Sequence, residues 1–197
     1  MKPRPDFHPL QAVEIAKAFA EAGVDYLFIG KGAAILLGFP GTTQDVDVFV
    51  DKTPANAERI IEALRSAGFA VDETLAGEIR KGKDFVQIKT GPFDVDLVFA
   101  PDGIESFAAA KERGVRVREF RIANLRDIIR SKKASKRQKD LLDLPLLEAF
   151  LDEYEKQRMS PLRTAAEIAE EGSRGSCGTD SGRADSGDSH RSPAGNR

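Results

Sequence analysis

"YLFIGKGAAILLGFPGTTQDVDVFV", residues 26–50, is the stretch on which the fold turns. An apolar run reaches Ile29 and breaks at Gly30-Lys31-Gly32. "AAILLG" (33–38) then predicts a short helix, closed by Gly38 and the Pro40-Gly41 turn, and "DVDVFV" (45–50) predicts a strand. Side chains alternate across a strand, so Asp45, Asp47 and Phe49 share one face while Val46, Val48 and Val50 fill the other. Two carboxylates a few ångströms apart repel, and each raises the other's pKa unless a cation intervenes. A hard divalent ion such as Mg2+ would resolve the conflict. So would plain exposure of the strand's beginning, with Asp45 as a turn residue. The stretch alone leaves both readings open.

Two further features bear on it. Asp94 and Asp96 in "FDVDLVFA" (93–100) repeat the same spacing on a second apolar strand, so three or four carboxylates converge if the strands are neighbours. Ahead of the first pair, a strand runs through a glycine turn into a helix, which leaves backbone N–H groups pointing outward in the manner of a phosphate site. Gly30 and Gly32 permit close backbone approach and Lys31 adds a cation, although the P-loop pattern is absent.

Elsewhere, helical spacing with Pro9 in the first turn and Gly23 as a stop predicts a helix over 9–22. A buried strand is expected over 24–30, and a helix capped by Thr53 runs to Ala67. Short strands are expected at 69–72 and 84–89, with 85–99 forming an antiparallel hairpin. A helix over 103–114, a strand over 115–122 and a helix from the Asn124 cap to Ala134 follow. The last helix runs from Lys136 towards Lys156, and Pro145 should interrupt it. The expected organisation is a mixed α/β (α+β) core over 1–123, a helical part over 124–160 that packs on it, and a tail over 172–197. That tail is Gly, Ser, Asp and Arg with almost nothing apolar, which predicts disorder.

Composition excludes several function classes. Among 197 residues, 41% are apolar and 31% charged, as in a soluble globular chain. A single cysteine, Cys177, excludes an internal disulfide, and His8 and His190 are too far apart in sequence to suggest a zinc site. No apolar run approaches the roughly 20 residues that span a bilayer, and "MKPRPDFHPLQ" lacks a signal-peptide core, so no membrane partner and a cytoplasmic location are expected. The net charge of −2 is uninformative, but its distribution is not. Lys111 to Lys139 holds 12 Lys and Arg against 3 Asp and Glu, leaving 18 against 29 elsewhere. Such a segment suits a polyanion such as RNA, or a merely solvated helix face.

The order of strand, glycine turn, short helix, D-x-D strand and second acidic strand resembles the nucleotidyltransferase superfamily, whose fold is shared with polymerase β. "GKGAAILLGFPGTTQDVD" is similar to the signature of small prokaryotic members, including abortive-infection-type toxins, at Gly30, Ala33, Gly38, Thr43, Asp45 and Asp47. "IIRSKKASKRQKDLLDL" resembles the Ser-Lys and Arg-x-Lys-Asp segment that follows in many of them. The resemblance spans about residues 24–148. Lys31 stands where the family usually has Gly or Ser, and Gly41 where small members often carry Arg.

The resemblance implies transfer of a nucleoside monophosphate from an NTP, ATP among them, to an acceptor hydroxyl. Asp45, Asp47 and Asp96, with Asp94 as the alternative third acid, would hold two Mg2+ ions, or Mn2+ in their place. Gly30, Lys31, Gly32, Thr43 and Lys132 would hold the nucleotide. A tRNA acceptor and an antitoxin protein are the partners implied by the toxin branch. An aminoglycoside-like antibiotic acceptor and a pseudoenzyme that only binds nucleotide or RNA are the alternatives.

Overall fold

Cross-strand register assigns every side chain in the middle of the molecule to a face. Tyr26–Phe28 (β1) pairs antiparallel with Val46–Val50 (β2), setting Tyr26 opposite Val50 and Leu27 opposite Phe49. Val95–Val98 (β4) lies parallel to β2 on its other side, with Val46 against Val95, Asp47 against Asp96 and Val48 against Leu97. Phe85–Ile88 (β3) closes that edge antiparallel to β4, the hairpin expected from the sequence. Beyond β1 lie Phe120–Ile122 (β6), parallel to it, and Val115–Val117 (β5), giving the mixed order β3-β4-β2-β1-β6-β5. One face therefore carries Tyr26, Phe28, Val46, Val48, Val50, Val95 and Leu97, all buried. The other carries Leu27, Asp47, Phe49 and Asp96.

The valine face is covered by Pro9–Glu21 (α1), whose Phe19 ring meets Tyr26 edge-on at 5.2 Å. Pro54–Ser66 (α3) packs beside α1, and Glu73–Lys81 (α4) beside α3. Buried Asn56 ties α3 to the sheet: its Oδ1 accepts from the Asp25 amide, and its Nδ2 donates to the carbonyls of Asp25 and Asp51. On the other face, Phe107–Arg113 (α5) sets Phe107 against Phe49 at 5.2 Å, so cover begins where the aspartates end. Gly30–Leu36 (α2) packs on Leu125–Ser135 (α6), and Gln138–Met159 (α7) follows.

The structure, a computed structural model, describes residues 8–159. The residues through Gln157 group as one unit and those from Arg158 as another. The tail expected from Gly172, with Cys177 and His190, lies outside the described residues. No described helix is long and apolar enough to cross a membrane.

Four local expectations are corrected. Residues 69–72 form no strand: Ala70 only exchanges hydrogen bonds with Thr90, and the chain turns at once into α4, capped by Asp72 and stopped by Gly82 at φ +59°. The single strand expected over 115–122 is a hairpin, folded at Arg118, whose φ is +53°. Lys136 is left-handed (φ +52°) and ends α6, so the last helix begins at Gln138 instead of Lys136. Pro145 does not interrupt α7. Leu141, whose carbonyl would have bonded the missing amide, and Pro145 are both exposed, so the lost bond falls on the solvent side of the helix.

Candidate functional site

The carboxylate pair is a product of register. Asp47 and Asp96 are direct neighbours on adjacent parallel strands, about 4.8 Å apart at the backbone. Asp96 is buried at 6% exposure, and its Oδ1 has no hydrogen-bond partner. Asp47 is half-buried and sits over the start of α2, where the Ile29 amide bonds its carbonyl at 3.0 Å. Gly30 is required there on two grounds. Its φ is +72°, and a Cβ on it would stand 2.2 Å from Asp47 Oδ2.

Burial, then the charges of Asp96 and Asp45, push the Asp47 carboxyl up to about 7, against a weaker pull from Lys139 and Lys132. Burial also raises Asp96, to about 6, with Gln87 opposing and Asp45 and Asp94 adding to it. An orphaned buried oxygen beside a second carboxylate with no cation in contact is the environment a bound cation would relieve. Asp45 lines the same cleft. Even so, among the described residues no three His, Cys, Asp or Glu side chains are gathered as a metal-holding group. Asp94 precedes β4, gives its carbonyl to the Val46 amide, and does not line the cleft.

The pair lies in a cleft of about 810 Å³. Gly30, Lys31 and Thr43 line it, as the sequence implied, whereas Gly32 is buried within α2 and does not. Phe85, Gln87 and Val98 extend the carboxylate face at the β3–β4 edge. Further lining comes from α6, α7 and the corner between them: Lys132, Ser135, Arg137, Lys139, Asp140 and Asp143. Lys132 is not free in the cleft. It is 9% exposed, and its Nζ donates to Asp140 Oδ1 at 2.6 Å and reaches Asp143 Oδ2 at 3.5 Å. Ser135 Oγ donates to the other Asp140 oxygen at 2.7 Å. Asp140 on α7 therefore pairs with Lys132 on α6, across the corner at Lys136. Lys31 Nζ donates to Asp143 Oδ1 at 2.8 Å.

Arg137 and Lys139 belong to the segment that the sequence left between a polyanion contact and a solvated helix face; both line the cleft without an ion-pair partner among the described residues. The left-handed Lys136 makes the corner that delivers them, which no local pattern announces. The rest of the basic segment is half neutralised. Lys111 pairs with Asp25, Arg113 with Asp127 and Glu105, Arg126 with Glu155, Arg130 with Glu105, and Lys133 with Glu148.

No family model matches the chain. No curated protein matches it either. Among solved structures, that of JHP933 from Helicobacter pylori is similar at a TM-score of 0.45 and 18% identity, over 75% of this chain and 67% of that one.

Proposed function

We propose that this chain is a metal-dependent nucleotidyltransferase that moves a nucleoside monophosphate from an NTP to an acceptor hydroxyl. The observation that carries the reading is the Asp47–Asp96 pair, set in register on adjacent parallel strands with one buried oxygen unpartnered. Carboxylate oxygens are the donors Mg2+ prefers, and the orphaned oxygen fits that group. Asp47 and Asp96 would hold it, with Asp45 turning in from the same cleft to complete the set. When bound, Mg2+ neutralises triphosphate charge and sharpens the acceptor hydroxyl as a nucleophile.

The chain's own residues supply the rest. Arg137, Lys139 and Lys31 line the same cleft as the carboxylates, and there the polyphosphate and the leaving pyrophosphate would gain charge-assisted hydrogen bonds. A triphosphate lying in the cleft turns its α-phosphorus towards the Asp47–Asp96 face. An acceptor hydroxyl attacks there and gives its proton to the unpartnered Asp96 carboxylate oxygen; the new O–P bond forms as the bond from the α-phosphorus to the α,β-bridging oxygen breaks, and pyrophosphate leaves. The phosphate-contact role expected of Lys132 passes in this reading to Lys139 and Arg137, because Asp140 already occupies the Lys132 ammonium.

The polyanionic acceptor is reduced to a narrower idea. Among the described residues the segment's cations without ion-pair partners are Arg116, Arg118, Arg121, Lys136, Arg137 and Lys139, and these could contact an RNA without giving up an ion pair. The test is incubation of the protein and Mg2+ with each α-labelled NTP and, separately, total RNA, cell protein and aminoglycosides. Label should appear on one acceptor and vanish in Asp47→Asn. Absence of label on all of them, with nucleotide bound in a titration, would establish a binding protein instead.

A further inference from the structure

Lys31 reaches the cleft from the first turn of α2 and meets Asp143, 112 positions later in the chain, on α7. Gly41 lies beside it: a Cβ there would stand 3.3 Å from Lys31 Cε and 3.0 Å from the Phe39 ring, so those side chains would have to give by a few tenths of an ångström. Asp143 also reaches Lys132, and the two halves of this cluster differ. Lys132 is buried and held at 2.6 Å by Asp140, whose second oxygen Ser135 occupies. Among the described residues Lys31 has a single partner, and that pair keeps 27% and 21% exposure, facing the cavity. One half is fixed; the other can exchange.

We infer that Asp143 is an internal stand-in for phosphate: in the free chain it holds Lys31, and an incoming polyphosphate takes Lys31 from it. The inference rests on the nucleotide reading above. A triphosphate carries several negative charges against the single charge of Asp143, and the released carboxylate keeps Lys132 within 3.5 Å, so the exchange strands no anion. A cation occupied by an internal anion binds external anions more weakly, in proportion to the fraction of molecules in which it is free. Lys31 is therefore a conditional phosphate ligand, and Asp143 sets the threshold at which the cleft accepts nucleotide.

The experiment is calorimetric titration of the full chain with inorganic tripolyphosphate and with each Mg2+–NTP. Asp143→Asn should bind tripolyphosphate about fivefold tighter than wild type, since a half-exposed ion pair no longer competes. The gain should disappear when Lys31→Gln is added. A merely structural Asp143 would weaken binding or leave it unchanged, and either result overturns the exchange while leaving the nucleotide reading intact. Should Asp143→Asn not fold, Lys31→Gln alone must weaken tripolyphosphate about tenfold, and unchanged affinity overturns the inference. No binding of any probe by wild type or variants at millimolar concentration overturns both readings together.

Discussion

Replacing Asp96 by Asn should stabilise the metal-free protein at alkaline pH while ending transfer. Asp96 is buried, in register with Asp47, and has an oxygen that nothing satisfies. Its carboxyl lies at about 6, raised from an ordinary 3.8 chiefly by burial. For a group whose folded pKa exceeds its unfolded value, the charge is a penalty on the folded state. It is complete above the folded pKa and absent below the unfolded one. Two units correspond to about 3 kcal/mol, and the new amide must find its own partners, so a net gain of about 1–2 kcal/mol is expected at pH 8. For a chain of this size that is a rise in Tm of about 3–8 °C. Melting curves in EDTA at pH 8 and pH 5 measure it. The gain should shrink at pH 5, where wild-type Asp96 is largely protonated, and Mg2+ should raise the Tm of wild type more than that of the variant. A variant less stable than wild type at pH 8, or a gain equal at both pH values, would refute the claim that charge at this site strains the fold.

Gly30→Ala should cost at least about 2 kcal/mol, because it combines a left-handed backbone with a Cβ placed on Asp47; urea denaturation at C-m resolution suffices to see it, and wild-type stability would show that α2 can shift away. Asn56→Ala leaves the Asp25 amide and two carbonyls without their shared partner and should cost about 2–3 kcal/mol by the same measurement. Asp140→Ala strips Lys132 of its 2.6 Å partner and should destabilise by about 3 kcal/mol at pH 7. Burial alone would raise the Asp140 carboxyl, but hydrogen bonds from Lys132 and Ser135 hold it below the ordinary value. Its stabilising contribution is thus present above the unfolded pKa of about 4 and lost as pH falls through the lower folded one, so the difference between wild type and variant should close only in strong acid.

The carboxylate floor was legible because alternation is local: once "DVDVFV" and "FDVDLVFA" are strands, each places its aspartates on one face, and only the pairing of the two strands remained to be found. Asp94 stands just ahead of β4, which begins at Val95, a boundary that composition does not mark, and its charge still bears on Asp96. Helix α4 had signals in plain view, an Asp72 cap, Leu75, Ala76 and Ile79 at helical spacing and the Gly82 stop, but Phe69 to Val71 suggested a strand first. The cationic lining was not legible. Whether Lys132, Lys139 or Arg137 faces a cleft depends on the corner at Lys136, and which of them is free depends on where Asp140 and Asp143 reach. What Lys31 and Gly41 do was not legible in a short signature. In the fold Gly41 lies beside the Lys31 side chain, and Asp143 on α7 receives the charge. Lys31 is held by Asp143, a residue 112 positions away on α7, so where its charge sits is set by helix packing and not by the turn that carries it.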